Sequence, residues 1–217
     1  MRKITDIYKE YNIMPNLVAH QMRVAGVAMQ ICESMEKSGV VVDTTLVVTA
    51  CLLHDMGNII KSDLNYFPEF LEPQGFEYWQ NVQNEYFQKY GRNEHEATLK
   101  ILKELEISSA VMVIVDGIGY PHIEDSYIAN DFNYKIAQYA DLRVSPHGIL
   151  SITERATEAR KRYEGRISDM DESMREQKIK HMFLIENQIF SKINMLPEEI
   201  NDESVAPYIK KLQEFEL

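Results

Sequence analysis

Cysteine is scarce in this chain. Of 217 residues only Cys32 and Cys51 are cysteines, and they do not form a CxxC pair. Both stand in apolar helical stretches, so reduced core thiols are expected rather than a disulfide framework. Long apolar runs are missing too. No stretch approaches about 18 continuous apolar residues, so no membrane span is expected. The first residues, MRKITDIYKEYNIMPN, alternate charge with apolar side chains and lack the apolar core of a signal peptide. A cytoplasmic protein is the expectation. Basic charge is in the minority, with 23 Lys and Arg against 34 Asp and Glu and a net charge of −11. Such a chain is a poor non-specific ligand of duplex nucleic acid or anionic membrane, and neither is expected as a partner. A small phosphorylated substrate remains admissible, because a local metal or arginine overrides the global field. Repeats, low-complexity segments and alternating strand pairs are also absent.

What is present reads as helix. Hydrophobic residues make up 45% and charged residues 26%, which argues against global disorder. The length suits one domain, 1–217, with appended helices. Residues 16–37 carry Leu17, Val24, Val27, Ala28, Ile31 and Met35 at a period near 3.6, started by Pro15 and ended by Gly39. Residues 44–55 follow as a buried helix with Asp43 and Thr44 as its cap. EHEATLKILKELEIS is amphipathic, AVMVIVDGI is a buried helix capped by Ser108 or Ser109, and GIGYPHI is a turn. DFNYKIAQYADLRV, ITERATEARKRY, DESMREQKIKHMFLIENQIFSKI and ESVAPYIKKLQEF supply the remaining helices, so the class is all-α. Residues 62–92 differ in texture. They hold the single tryptophan, Trp79, among many aromatics, with Pro68, Pro73 and Gly75. They read as an inserted set of loops and a short helix, serving either as a satellite hydrophobic cluster or as a lid or wall beside a site.

Polar residues interrupt the apolar pattern at four places. His20 lies in VAHQMRVAGVA, His54 and Asp55 end ACLLHD, and Asp141 sits in QYADLRV. A charge at the edge of a core is costly unless it is paired or bound to a metal. Imidazole nitrogens and carboxylate oxygens are the usual ligands of zinc, iron, manganese and similar ions. In a bundle such ligands project inward from different helices.

The order His, then His-Asp after a small-apolar run, then Asp in a buried YAD helix resembles the HD superfamily of metal-dependent phosphohydrolases. The resemblance runs from about residue 15 to 163, strongest in HQMRVAGVA, ACLLHDMG and YADLRVSPHGILSITERATEARKRY. It implies an HD-domain helical bundle with the aromatic insertion at about 62–92 and a C-terminal helical extension at about 164–217. It also implies that His20, His54, Asp55 and Asp141 bind a divalent metal ion (Mn, Fe, Co, Ni, Zn or Mg). Some members hold a second metal through two more histidines, for which His95 and His122 come in the right order. The activity implied is hydrolysis of a nucleotide or another small phosphorylated metabolite by a metal-activated water, with Asp55 orienting or deprotonating that water.

Arg23, three residues after His20, and Lys61, in the loop after Asp55, are candidates for the substrate phosphate. Each is also readable as a plain ion-pairing or surface residue. Arg143 points away from Asp141 on the same helix and is expected to be a structural partner. The run RATEARKRY mixes both signs, with pairs such as Glu158–Arg162, and reads as a solvated helix face. His147 and His181 read as surface histidines. Two other functions fit the same ligands: a di-iron oxygenase using His20, His54, Asp55, His95, His122 and Asp141, and a non-catalytic metal- or nucleotide-binding module. Met182, Phe183, Ile185, Ile189, Phe190 and Ile193 are expected to cover the core or to form a dimer interface, so the chain is a monomer or a homodimer.

Overall fold

Seven consecutive residues, Val47 to Leu53, are buried, so the last two turns of the helix that carries them, α3 (Thr44–Leu53), have no solvent face. A helix apolar all round must be wrapped by others. The computed structural model describes residues 2–162 and 171–217, with the backbone alone at Arg162. Around α3 it places α1 (Ile4–Glu10), α2 (Pro15–Lys37), α4 (Phe76–Tyr90), α5 (Glu94–Glu104), α6 (Ser109–Gly117) and α7 (Ile123–Ile128). These are followed by α8 (Phe132–Arg143), α9 (Ile152–Arg162), α10 (Glu172–Phe190) and α11 (Asp202–Leu212). The expected all-α class is observed. A two-residue hairpin follows α8, with Val144 opposite Ile149 and Ser145 opposite Gly148, and it is too short for any alternation to announce it. The pair Glu158–Arg162 and the expected junction near 163–164 involve atoms outside the described residues.

The long helix α2 is the hub and packs on α3, α8 and α11. Its apolar face is Val24, Val27, Ala28, Ile31 and Met35, all fully buried. Gly26 admits α11 at close range. A Cβ there would stand 2.6 Å from Val205 Cγ1 and 3.3 Å from Ile209 Cγ1. Helix α3 starts where Asp43 caps it, accepting from the Leu46 N–H at 2.9 Å. It ends at Leu53, two residues earlier than the sequence suggested, and His54 and Asp55 lead into a turn.

Residues 62–92 divide into two parts. Pro68–Leu71 forms a 3-10 turn, and Phe76–Tyr90 forms a helix of 15 residues, longer than the short helix expected. On α4, Trp79, Val82, Tyr86 and Tyr90 are buried as a hydrophobic cluster. In the C-terminal part, Met182, Ile185, Ile189 and Ile193 cover the core, while Phe183 is exposed. Arg143 is the expected structural partner. It is buried and donates to Tyr139 Oη (2.6 Å), Ile200 O (3.0 Å), Pro197 O (3.2 Å) and Leu150 O. One guanidinium thus ties α8 to the hairpin exit and to the segment before α11. His181 is not a plain surface residue: it is half-buried and stacks on Tyr127 at 4.9 Å. His147 is exposed but packs on the Phe67 and Phe70 rings.

Candidate metal centre

His54 is the first residue past α3, yet its backbone is still helical (φ −64°, ψ −25°). Its ring therefore folds back, and Nδ1 lies 2.8 Å from the Cys51 carbonyl oxygen. That contact satisfies one of the carbonyls a helix end leaves open and places a proton on Nδ1. Nε2 is then aimed at the centre. It is buried and makes no hydrogen bond, although Asp141 Oδ1 lies 3.4 Å and Asp55 Oδ2 3.6 Å away.

His20 reaches the same point from α2. Its Nε2 stands 3.2 Å from Asp141 Oδ1 and 3.5 Å from Asp55 Oδ2. Asp141 comes from α8, where its neighbours Ala140 and Leu142 are buried. Burial alone would raise its pKa, but the His20 and His54 imidazoles outweigh that and hold it well below the usual carboxylate range. Burial would lower the pKa of His54, but the Asp55 and Asp141 carboxylates raise it from 6.5 to about 9. Nε2 therefore carries a proton when nothing else answers the two carboxylates.

One ligand atom each from His20, His54 and Asp141 falls within a group whose members lie no more than 4.8 Å apart. Two imidazole nitrogens and a carboxylate oxygen, one nitrogen buried without a partner, suit a divalent transition ion. The residues present fit such a metal. Asp55 borders the group, and its backbone N–H donates to Gln21 Oε1 at 3.3 Å. Gln21 is fully buried beside His20, so α2 steers both.

The turn after Asp55 is held by close packing. The Gly57 N–H donates to Thr98 Oγ1 at 2.9 Å, and Thr98 Oγ1 donates to Glu94 O at 2.9 Å. The start of α5 is thereby fixed against the His-Asp turn.

This cluster lies in the wall of a cavity of about 790 Å³. Lys61, Tyr66, Phe67, Phe70, Tyr120 and Arg155 are also part of its wall. The aromatic stretch after Asp55 is therefore a cavity wall in its first half and a hydrophobic cluster in its second.

The other residues singled out from the sequence are placed as follows. His95 and His122 line the cavity but stand outside the ligand group. His95 Nε2 lies 2.8 Å from Asp116 Oδ1, and His122 Nδ1 3.1 Å from Asp125 Oδ2. Lys61 lines the cavity with its Nζ 3.5 Å from Glu94 Oε1. Arg23, expected to reach a substrate phosphate, is turned the other way. Its Nε lies 3.4 Å from Asp202 Oδ1 on α11, and it is not among the cavity residues. The acidic first turn of α11 draws the guanidinium off the face that His20 uses. Sequence reasoning missed Asn16 and Arg155, which both line the cavity. Asn16 precedes His20 by four residues, a spacing that puts both on one helix face and could have signalled it.

The sequence model of one protein family, described as HD domain, matches residues 17–171. The chain belongs to the HD-domain family. No curated protein and no solved structure matches it. The matched span contains His20, His54, Asp55 and Asp141. Among the described residues of this HD-domain protein, no helix is long and apolar enough to cross a membrane.

Proposed function

We propose that the protein is a metal-dependent hydrolase of a small phosphoester, with a nucleotide as the favoured class. The observation that carries this is the buried, unpartnered Nε2 of His54, converging with His20 and Asp141 in a cavity that also holds aromatic rings and cations. A divalent ion bound there supplies Lewis acidity toward a phosphoryl oxygen and a water of lowered pKa.

The chain's own residues do the rest. Asp55, at the edge of the ligand group, orients the attacking water and takes its proton as the new P–O bond forms. Lys61 offsets charge on the phosphoryl group. Tyr66, Phe67 and Phe70 form an apolar wall that excludes water and offers flat faces to an aromatic base. The bond that breaks joins phosphorus to the ester oxygen, and the leaving alkoxide is protonated from solvent. A single-metal hydrolase is preferred to a di-iron oxygenase because His95 and His122 each engage a separate carboxylate, Asp116 and Asp125.

The test is a screen of nucleotides and other phosphoesters with several added divalent metals, on wild type and on His54→Ala and Asp55→Asn. Turnover by the wild type, lost by more than about 100-fold in both folded variants, is expected. Equal turnover by a folded His54→Ala variant would remove the proposal.

A further inference from the structure

Among the described residues, five buried side-chain atoms lack a hydrogen-bond partner: Asn16 Oδ1, His54 Nε2, Ser126 Oγ, Arg155 Nε and His181 Nδ1. Three of them, on Asn16, His54 and Arg155, belong to residues lining the same cavity. Buried polar atoms are nearly always satisfied in folded proteins, so a cluster of exceptions in one cavity points to a ligand that satisfies them. The metal answers His54. Arg155 Nε is a donor on a cationic group, and an anionic oxygen is the acceptor that suits it best.

Resting on the phosphohydrolase reading, we propose that Arg155 is the residue that binds the substrate's phosphoryl group, its Nε–H donating to a phosphoryl oxygen. The side chain is not part of the solvated face that its sequence neighbourhood suggests, since only 18% of it is exposed. Its Nη1 is held by Glu158, one turn along α9. That contact occupies Nη1 and leaves Nε without a partner. Of the two Lys and Arg side chains in the wall, Lys61 is 54% exposed and already 3.5 Å from Glu94. The wall also carries Asp55, Asp63, Glu94 and Asp141. An anion therefore binds there only against a metal together with a well-placed cation. A guanidinium suits that role better than an ammonium, being planar and weakly hydrated. Asn16 Oδ1 is an acceptor in the same cavity, suited to a hydroxyl or amine on the rest of the substrate.

The test is calorimetric titration of inorganic phosphate into the metal-loaded protein, as wild type, Arg155→Met, Arg155→Lys and Glu158→Gln. Metal content per chain reports that each variant keeps its site. Arg155→Met is expected to bind phosphate about 10- to 100-fold more weakly, the scale of a hydrogen bond to a charged group. Arg155→Lys keeps the charge and loses the fork, and is expected to fall between the two. Glu158→Gln breaks the same ion pair without removing the guanidinium, so it stays within about threefold of wild type. Wild-type affinity in Arg155→Met would overturn this inference and leave the phosphohydrolase reading standing. If Arg155→Met lost its metal, wild-type affinity in Arg155→Lys would overturn the inference in the same way. A metal-loaded wild type that binds no phosphate would overturn both.

Discussion

Replacing Gly57 by alanine adds one methyl group at the turn that carries His54 and Asp55. The backbone there tolerates any residue, with φ −94° and ψ 0°. Space is what requires glycine. A Cβ would stand 2.3 Å from Glu94 O, 2.8 Å from Thr98 N and 2.9 Å from Ala97 Cβ. Two of these neighbours are backbone atoms of α5, which cannot rotate aside, so the turn and the helix must separate. Overpacking of this kind costs about 1–3 kcal/mol. Separation also lengthens the bond from the Gly57 N–H to Thr98 Oγ1, worth about 1 kcal/mol. A loss of about 2–4 kcal/mol lowers Tm by about 4–16 °C in a chain of this size. The assay is thermal unfolding of metal-stripped protein, with Gly39→Ala as a control. Gly39 has φ +76° but nothing within 4 Å of an added Cβ, so it reports backbone strain alone. The loaded Gly57→Ala protein should also bind metal more weakly, because His54 and Asp55 move with the turn. A Tm within about 1 °C of wild type would refute the packing argument.

Two further predictions follow from charge. Because the folded His54 pKa is raised from 6.5 to about 9, its contribution to stability is full below pH 6.5 and is lost as pH rises through about 9. The Tm of metal-stripped protein should fall across that window more than that of His54→Gln. The stabilisation given by added metal, which needs the neutral imidazole, should grow over the same window; a flat difference between loaded and stripped protein would contradict this. Arg143→Met strands the carbonyls of Leu150 and Ile200, at about 1–3 kcal/mol for each acceptor left dry, whereas Pro197 O keeps the Ile200 N–H. Its Tm should drop by roughly 4 °C or more while metal content is unchanged, and a smaller drop in a melt would show that water replaces the guanidinium.

The helices were legible because their apolar periodicity is strong: α2 and α3 follow from residues that repeat at helical spacing. The candidate metal cluster was legible for a different reason. A histidine and a carboxylate at the edge of an apolar run have no cheap alternative to a mutual partner, and His20, His54 and Asp141 meet where that argument requires. What the pattern could not supply was side-chain direction. Arg23 has the right helical spacing from His20, but the carboxylate of Asp202, nearly 180 residues away in sequence, turns it aside. Arg155 sits in a charge-mixed run that reads as solvent-facing, and only the packing of α9 on α8 and the hairpin turns it inward. The double nature of residues 62–92 was hidden because aromatic residues serve a core and a binding wall equally well. The long helix α4 was underestimated, since Pro68, Pro73 and Gly75 cluster before it and colour the reading of the whole stretch.

The most direct test of the metal centre is elemental analysis per chain of wild type beside His54→Ala, each stripped and then reloaded with one divalent metal at a time. One metal ion per wild-type chain, absent from a folded His54→Ala, is the predicted result. A reloaded wild type that holds no metal, or a His54→Ala variant that holds as much as wild type, would contradict the account.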